Sequence, residues 1–234
     1  MIALALLLLT PVLSFSATRS NNPTPLQPQA TWEQVGRSLL QLKSIGVPDD
    51  ILMMTRLDIP NLCRVHVGES TIPGAGRGLF ASTDCQKGDL LTCYPGDVLL
   101  QPSGMTGVPD ELKQDDARLR LLLSRYCIGV RDGYAIMGLP DLADDMAYAG
   151  HLINDGARPP VRESELSRYL EESTSMANVE HSSLENIHLV CVAKRDIKQG
   201  EELFVFYGPT YWMDHTDTWI GEDDDGAEGN EAKN

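Results

Sequence analysis

The sequence predicts a mostly β fold of the α+β class, made of several short strands, with a short helical appendage at its N-terminal end. Between residues 62 and 212, short runs of apolar, β-branched and aromatic residues alternate with turns rich in Gly, Pro, Asn and Asp. Many short strands separated by such turns are typical of mostly β domains. Strands are expected at Cys63–Val67, Gly78–Ala81, Leu90–Tyr94, Tyr126–Val130, Tyr134–Met137, Ile187–Ala193 and Leu203–Tyr207.

The N-terminal helices are predicted from a start signal, an apolar periodicity and a stop signal. Thr31 followed by Gln34 forms a capping box, which marks a helix start. Apolar residues then recur at helical spacing until Gly46 ends the helix. A second short helix is expected over residues 49–56, and the pair defines the helical appendage, residues 31–61.

Two further helices are expected within the strand-rich region. Asp115–Ser124 has acidic residues in its first turn, where they interact favourably with the helix dipole. Val161–Glu172 places Leu166, Tyr169 and Leu170 on one face.

The two ends of the chain are predicted to lie outside the folded domain. Residues 1–16 contain the apolar run Ile2 to Leu9, which is too short to span a bilayer and is typical of a signal or targeting segment. A misassigned start or a buried strand are the alternatives. Residues 17–30 resemble a linker or a transit peptide, and residues 213–234 form an acidic tail that is predicted to be disordered. A real leader would direct the protein to the secretory pathway or a plastid, with no stable membrane span after its removal; otherwise a nuclear or cytoplasmic location is expected.

The charge balance and the cysteine spacing argue against two kinds of site. The chain has 234 residues, with 19 Lys and Arg against 34 Asp and Glu, and a formal net charge of −15. Such an acidic chain is not expected to bind nucleic acid through bulk charge. The excess acid would attract a basic peptide or only improve solubility. The five cysteines lack metal-ligand spacing, so no metal site is predicted and buried thiols are expected.

Four short motifs carry the functional information. The first runs from Pro73 to Phe80 and contains three glycines, which let the backbone approach a ligand closely. A strand follows it, whereas a dinucleotide-binding loop would precede a helix. The other motifs are Tyr94-Pro95-Gly96, Leu152-Ile153-Asn154-Asp155, and Ala193 to Gly208 followed by Tyr211-Trp212. Taken singly, each motif is also consistent with a turn or a strand end. His151 is expected to be structural, because no second His or Cys stands at ligand spacing.

In this order, the four motifs resemble those of the SET-domain protein-lysine methyltransferase family over roughly residues 62–212. The resemblance implies a SET-domain fold of several small sheets, whose C-terminal strand threads through a loop as a pseudoknot. Such threading is rare in proteins, and here it would bring Asn154 and Tyr207 together. The resemblance also implies S-adenosylmethionine as the cofactor and a protein substrate with a lysine as the partner, without direct contact to nucleic acid.

The resemblance further implies a role for each matching residue. Tyr207 would be the catalytic residue. The cofactor-binding residues would be Gly74, Ala75, Gly76, Arg77, Asn154 and Asp155. The substrate channel would be lined by Tyr94, Tyr211 and Trp212, although aromatic side chains near a strand end are as often part of the core.

Two departures from the family pattern favour a second interpretation. Asp155 stands where the family has a His beside the cofactor, and no Cys cluster follows Tyr207. Both features are consistent with a catalytically inactive SET-fold module that binds proteins. Stabilisation of the fold by S-adenosylmethionine would distinguish the enzyme from the binding module.

Overall fold

The computed structural model describes residues 30–143 and 145–215. The predicted leader, all but the last residue of the predicted linker, and most of the predicted acidic tail lie outside the described residues. Among the residues described, no helix is both long enough and apolar enough to cross a bilayer.

In the described part of the chain, nine short strands form three separate antiparallel sheets. The strands are, in chain order, β1 (Val65–Glu69), β2 (Arg77–Ala81), β3 (Leu90–Cys93), β4 (Val98–Gln101), β5 (Gly104–Thr106), β6 (Cys127–Arg131), β7 (Tyr134–Met137), β8 (Val179–Leu184) and β9 (His188–Ala193). The first sheet pairs β1 with β2, the second has the order β3-β9-β8, and the third has the order β5-β4-β7-β6. The predicted architecture of several small sheets is confirmed.

The same residues contain six α-helices, and most of them were predicted. They are α1 (Trp32–Ser44), α2 (Asp49–Met54), α3 (Asp110–Lys113), α4 (Asp116–Tyr126), α5 (Leu166–Met176) and α6 (Pro209–His215). Helix α1 begins at the predicted capping box, where the Thr31 backbone N–H donates to Gln34 Oε1 at 2.7 Å. Helices α2 and α4 correspond to the predictions for residues 49–56 and 115–124.

The two N-terminal helices share a core with the sheets. Leu39 of α1 and Leu52 of α2 are fully buried in one hydrophobic cluster with Ile136 and Tyr148. A ring nitrogen of His188, Nε2, lies 2.7 Å from the carbonyl oxygen of Leu52 and joins β9 to α2. The predicted N-terminal helical pair is therefore confirmed, and its buried residues pack into the same core as the sheets.

One predicted strand, Leu203–Tyr207, is absent as a regular strand. The Leu203 N–H donates to the Leu79 carbonyl at 2.7 Å, whereas the Val205 N–H donates to the Asn154 carbonyl at 2.9 Å. Because this segment changes partner within two residues, it passes between two parts of the chain and does not form a ladder with either. The other predicted strands are present, with ends that differ by two residues or fewer.

The structure also corrects the prediction for α5. The helix begins at Leu166, after a 3-10 turn at Glu163–Glu165, and not at Val161. Of the three residues predicted to share one face, Tyr169 is buried, whereas Leu170 is 40% exposed. The buried residues of α5 are Tyr169 and Ser173. Strands β4, β5 and β8 were not predicted; β5 has only three residues, all exposed, and β8 is mostly polar.

Candidate active site

The predicted catalytic residue, Tyr207, lies just after the segment that passes between β2 and Asn154. Its hydroxyl donates to the Ile153 carbonyl oxygen at 2.9 Å, and its backbone N–H donates to Asp155 Oδ2 at 3.1 Å. The hydrogen bond from Val205 to Asn154 fixes the same two segments beside each other. The predicted proximity of Asn154 and Tyr207 is therefore present in the structure.

The environment of Tyr207 keeps its hydroxyl protonated. Burial raises the pKa of the phenol, and the neighbouring Tyr211 and Asp155 raise it further. The Tyr207 ring packs against Tyr211 at a centroid distance of 4.6 Å and against Trp212 at 5.8 Å. At neutral pH, Tyr207 can therefore offer a fixed O–H group and an oxygen lone pair, but not a phenolate.

Two cavities meet at Tyr207. The larger has a volume of about 400 Å³ and the smaller about 120 Å³. Four residues line both cavities: Arg125, His151, Tyr207 and Tyr211. This arrangement can hold two different groups on either side of one tyrosine.

The structure distributes the predicted site residues between these cavities. Five of the six predicted cofactor-binding residues line the larger one, namely Gly74, Ala75, Arg77, Asn154 and Asp155, but Gly76 does not. The three residues predicted for the substrate channel differ in position. Tyr94 lines the smaller cavity, Tyr211 lines both, and Trp212 lies on the wall of the larger cavity only.

The glycine-rich loop between β1 and β2 forms one rim of the larger cavity. Gly74 and Gly76 have φ angles of +81° and +74°, a conformation that glycine adopts without strain. No atom lies within 4 Å of the point where a Cβ would stand at either position. The loop therefore leaves open space next to its backbone. The two ends of the loop are joined by a hydrogen bond from the Ser70 N–H to the Gly76 carbonyl at 2.8 Å.

Asn154 connects this loop to the rest of the site. Its side-chain Nδ2 donates to the Arg77 carbonyl at 3.0 Å, and its own carbonyl accepts from Val205. The glycine loop, Asn154 and the segment leading to Tyr207 are thus held together by consecutive hydrogen bonds. The Arg77 side chain donates to the Pro140 carbonyl at 2.9 Å.

Asp155 lines the larger cavity, but its carboxylate is already occupied by protein groups. The side chain is only 5% exposed and accepts four hydrogen bonds. The donors are the Tyr169 hydroxyl at 2.6 Å, the Ser173 hydroxyl at 2.7 Å, and the backbone N–H groups of Ala157 and Tyr207, both at 3.1 Å. Asp155 was predicted to bind the cofactor, whereas its two oxygens are directed at the protein.

Polar and aromatic side chains line the smaller cavity. The Tyr94 hydroxyl donates to the Tyr126 carbonyl at 2.8 Å, and burial raises its pKa. The Tyr94 ring packs edge-on against His151 and His181, with centroids 6.3 and 5.7 Å apart. Burial lowers the pKa of His151 to about 3 and that of His181 to about 4, so both imidazoles are neutral near pH 7.

His151 is the clearest site residue that the sequence argument missed. It is 4% exposed, and neither ring nitrogen has a hydrogen-bond partner among the described residues. Buried polar atoms nearly always have a partner. The absence of metal-ligand spacing predicts a structural role, yet His151 lines both cavities and carries two unpartnered nitrogens. The only sequence signal was its place three residues before Asn154.

The larger cavity fits a polar cofactor of moderate size. Its volume falls in the range of typical small-molecule sites, about 300–1,000 Å³. The open glycine backbone and the unpartnered nitrogens of His151 supply polar contacts, and the aromatic rings of Tyr211 and Trp212 supply apolar ones. In residues 30–143 and 145–215, no cluster of three or more His, Cys, Asp or Glu side chains is placed to hold a metal ion.

Several small antiparallel sheets, a glycine-rich loop beside the site, and Asn154 next to the segment that carries Tyr207 are features that the motif resemblance implied. The family model for the SET domain matches residues 76–208, which is more than half of the chain. The chain belongs to the SET-domain family.

Similar proteins include a lysine methyltransferase. N-lysine methyltransferase KMT5A-A of Xenopus laevis is 29% identical over 147 residues, which are 58% of this chain and 34% of that protein. The chain therefore matches about a third of the length of that relative.

Similar solved structures include two forms of a Polycomb complex. One is ctPRC2 in an autoinhibited conformation bound to S-adenosylmethionine, with a TM-score of 0.38 and 21% identity. The other is a humanized mutant of the Chaetomium thermophilum Polycomb Repressive Complex 2 bound to the inhibitor GSK343, with a TM-score of 0.38 and 20% identity. Each match covers 62% of this chain and 15% of the other chain.

Proposed function

We propose that this protein transfers a methyl group from S-adenosylmethionine to the side chain of a lysine in another protein. The observation that carries the proposal is the meeting of two cavities at Tyr207. The larger cavity would hold the cofactor, and the smaller one would admit the lysine side chain. Membership of the SET-domain family and the similarity to a lysine methyltransferase support this assignment.

S-adenosylmethionine would supply a methyl group bonded to a positively charged sulfur. The glycine loop would contact the cofactor through the backbone at Gly74 and Ala75, since no side chain blocks the backbone at Gly74. Asn154 keeps this loop next to the segment that carries Tyr207. Holding two reactants in line is a large contribution that a protein makes to the rate of such a transfer.

The smaller cavity would keep the lysine amine neutral and orient it for methyl transfer. A lysine amine must be neutral to react, and an enclosed apolar environment lowers its pKa. Tyr94, Ile153 and Tyr207 line this cavity and would reduce the contact of the amine with water. The Tyr207 oxygen and the Ile153 carbonyl oxygen, 2.9 Å apart, lie where they can orient the amine and make weak C–H···O contacts to a methyl group.

The proposal is tested by two measurements on the full chain. The first is thermal stability with and without S-adenosylmethionine, since a ligand that binds only the folded state stabilises it by about 2.7 kcal/mol at a hundredfold excess over its dissociation constant. The second is transfer of a labelled methyl group to basic proteins and to cell extract. Stabilisation and transfer together would support the enzyme. No stabilisation and no transfer would support the catalytically inactive protein-binding module.

Tyr207→Phe is the matched variant for these measurements. It removes the hydroxyl at the junction but keeps the ring that packs against Tyr211 and Trp212. We expect methyl transfer to fall at least about a hundredfold, as for the loss of a key orienting group, while stabilisation by the cofactor remains. Transfer at the wild-type rate would show that the Tyr207 hydroxyl is not catalytic.

The cellular location belongs to the same proposal. We propose that residues 1–16 direct the protein to the secretory pathway or a plastid, because the apolar run from Ile2 to Leu9 is typical of a targeting segment. The substrates would then be proteins of that compartment. A fluorescent fusion of residues 1–35 tests this, and a diffuse or nuclear signal would contradict it.

A further inference from the structure

The segment between Asp155 and Asn178 carries α5, and the buried side of this helix is polar at its centre. Tyr169 and Ser173 are four residues apart, so they lie on the same face of the helix. Both are almost completely buried, and both hydroxyls donate to the Asp155 carboxylate, at 2.6 and 2.7 Å. Hydrogen bonds to an ionised acceptor are roughly twice as strong as those between neutral groups.

Asp155 and Tyr169 also bind the two backbone N–H groups that flank the Cα of Tyr207. Asp155 Oδ2 accepts from the Tyr207 N–H at 3.1 Å, and the Tyr169 hydroxyl oxygen accepts from the Gly208 N–H at 3.0 Å. The Tyr169 hydroxyl therefore donates to Asp155 and accepts from Gly208 at once. Two consecutive backbone amides are fixed by one carboxylate and one phenol.

Ring packing holds Tyr169 in this place. Its ring stacks on Phe206 at 6.0 Å and meets Trp212 edge-on at 6.4 Å. Tyr169 is thus in contact with residues on both sides of Tyr207 in the sequence. A shift of α5 would move the hydroxyl and ring contacts together.

We propose that Asp155, Tyr169 and Ser173 form a positioning unit that fixes the backbone at Tyr207 and Gly208 and so places the Tyr207 hydroxyl at the junction of the two cavities. This inference rests on the proposed function, since it assigns a purpose to the position of Tyr207. Asp155 and Tyr169 are positioning residues here, because they act on Tyr207 through its backbone. An unpaired carboxylate at 5% exposure would be strongly unfavourable, so Asp155 depends on α5 as much as Tyr207 depends on Asp155.

Tyr169→Phe is the most direct test, because it deletes one hydroxyl and keeps the ring that packs on Phe206 and Trp212. Tyr148→Phe is the matched control. The Tyr148 hydroxyl is also buried and also accepts from a backbone N–H, that of Leu57 at 2.7 Å, but Tyr148 lines neither cavity. Each variant is compared with the wild type in amide hydrogen exchange, in affinity for S-adenosylmethionine, and in kcat and KM for methyl transfer.

For Tyr169→Phe, we expect exchange of the Tyr207 and Gly208 amides to rise about tenfold or more, because a charge-assisted network is broken. We expect kcat to fall by about tenfold or more, with KM and cofactor affinity within about threefold, because binding surfaces are kept and only orientation is lost. Tyr148→Phe should change neither the amide exchange at Tyr207 and Gly208 nor kcat. Asp155→Asn should resemble Tyr169→Phe, and the double variant should be little worse than either single one, since both act in one network.

The proposal is overturned if exchange at Tyr207 and Gly208 in Tyr169→Phe matches that in the Tyr148→Phe control, or if kcat is unchanged in an otherwise active enzyme. Ser173→Ala, which deletes a smaller hydroxyl from the same unit, replaces Tyr169→Phe if that variant fails to fold. If the wild-type protein transfers no methyl group, the proposed function fails, whereas hydrogen exchange still decides whether the positioning unit exists.

Discussion

Replacing Gly78 with alanine would test how tightly β2 packs on the segment that leads to Tyr207. A methyl group at Gly78 would overlap the Glu202 carboxylate and lie 3.3 Å from Asn154 Nδ2. Glu202 is 6% exposed, and its carboxylate accepts hydrogen bonds from the Ser70 hydroxyl at 2.6 Å, the Thr71 N–H at 2.7 Å and the Thr71 hydroxyl. The Glu202 side chain therefore cannot move aside without losing partners.

These contacts set the expected decrease in the free energy of unfolding of Gly78→Ala. A hydrogen bond to a charged group contributes about 1.5–3 kcal/mol, so breaking two of the three predicts a loss of about 3–6 kcal/mol in the free energy of unfolding. The total free energy of unfolding of a native protein is typically about 5–15 kcal/mol. Gly78→Ala is therefore expected to be among the most damaging small substitutions in the chain. It should also loosen the glycine loop, because Glu202 anchors Ser70 and Thr71 at its base.

The assay is urea denaturation of Gly78→Ala beside two comparison variants. Gly129→Ala is the control, because no atom lies within 4 Å of a Cβ at Gly129, and it should change the free energy of unfolding by less than about 1 kcal/mol. The second comparison places Gly78→Ala in a Glu202→Ala background. There the overlapping carboxylate is gone, so the added methyl should cost much less.

Two outcomes would refute this reasoning. One is a decrease in the free energy of unfolding of less than about 1 kcal/mol for Gly78→Ala. Such a decrease would be close to the effect of an ordinary surface substitution, which is about 0.5 kcal/mol. The other is an equal loss with and without the Glu202 carboxylate, which would show that the close approach to Glu202 is not the cause.

Two further predictions concern buried titratable groups. Burial lowers the pKa of His151 and His181 from 6.5 to about 3 and about 4, so the unfolded chain binds more protons below pH 6.5. The stability that comes from keeping these two imidazoles neutral is complete above pH 6.5 and is lost as the pH falls towards 4 and 3. Urea denaturation between pH 7 and 4 should therefore show a smaller decrease in the free energy of unfolding for His151→Phe than for the wild type. Equal decreases would contradict the lowered pKa of His151. Burial also raises the pKa of Cys93 to about 12 and that of Cys191, whereas Cys63 is exposed. A thiol reagent should therefore modify Cys63 in the folded protein and Cys93 and Cys191 only after unfolding, and mass spectrometry of the labelled peptides would reveal any early labelling of the buried pair.

The sequence was sufficient where a feature depends on neighbouring residues. The capping box at Thr31 predicted the start of α1, and turn residues predicted most strand ends within two residues. The resemblance to the SET-domain family implied that Asn154 and Tyr207 lie close together, and the structure has them side by side. Each motif has the residue types that its local backbone requires, such as glycine at the positive φ angles of Gly74 and Gly76.

The sequence was insufficient where a feature depends on distant partners. Residues 203–207 have the composition of a strand, but their backbone partners come from two separate segments, so no regular strand forms. The helical spacing predicted that Leu166, Tyr169 and Leu170 share one face of α5, whereas the buried residues are Tyr169 and Ser173. Their hydroxyls donate to the Asp155 carboxylate, 14 and 18 positions earlier in the chain. His151 acquires its buried, unpartnered nitrogens only when the folded chain encloses the ring. Tertiary contacts override local patterns at these positions.

The shared core of the N-terminal helices sets the smallest piece of this chain that can fold autonomously. The family match begins at residue 76, but the core already includes Ala30, whose carbonyl accepts from the buried Arg64 side chain at 3.2 Å. A fragment trimmed to the family boundary would leave the side chains that cover Leu39 and Leu52, such as Tyr148, facing water. Large apolar surfaces of this kind promote aggregation. Recombinant fragments of this protein should therefore begin at or before residue 30, well upstream of the point where its sequence becomes recognisable.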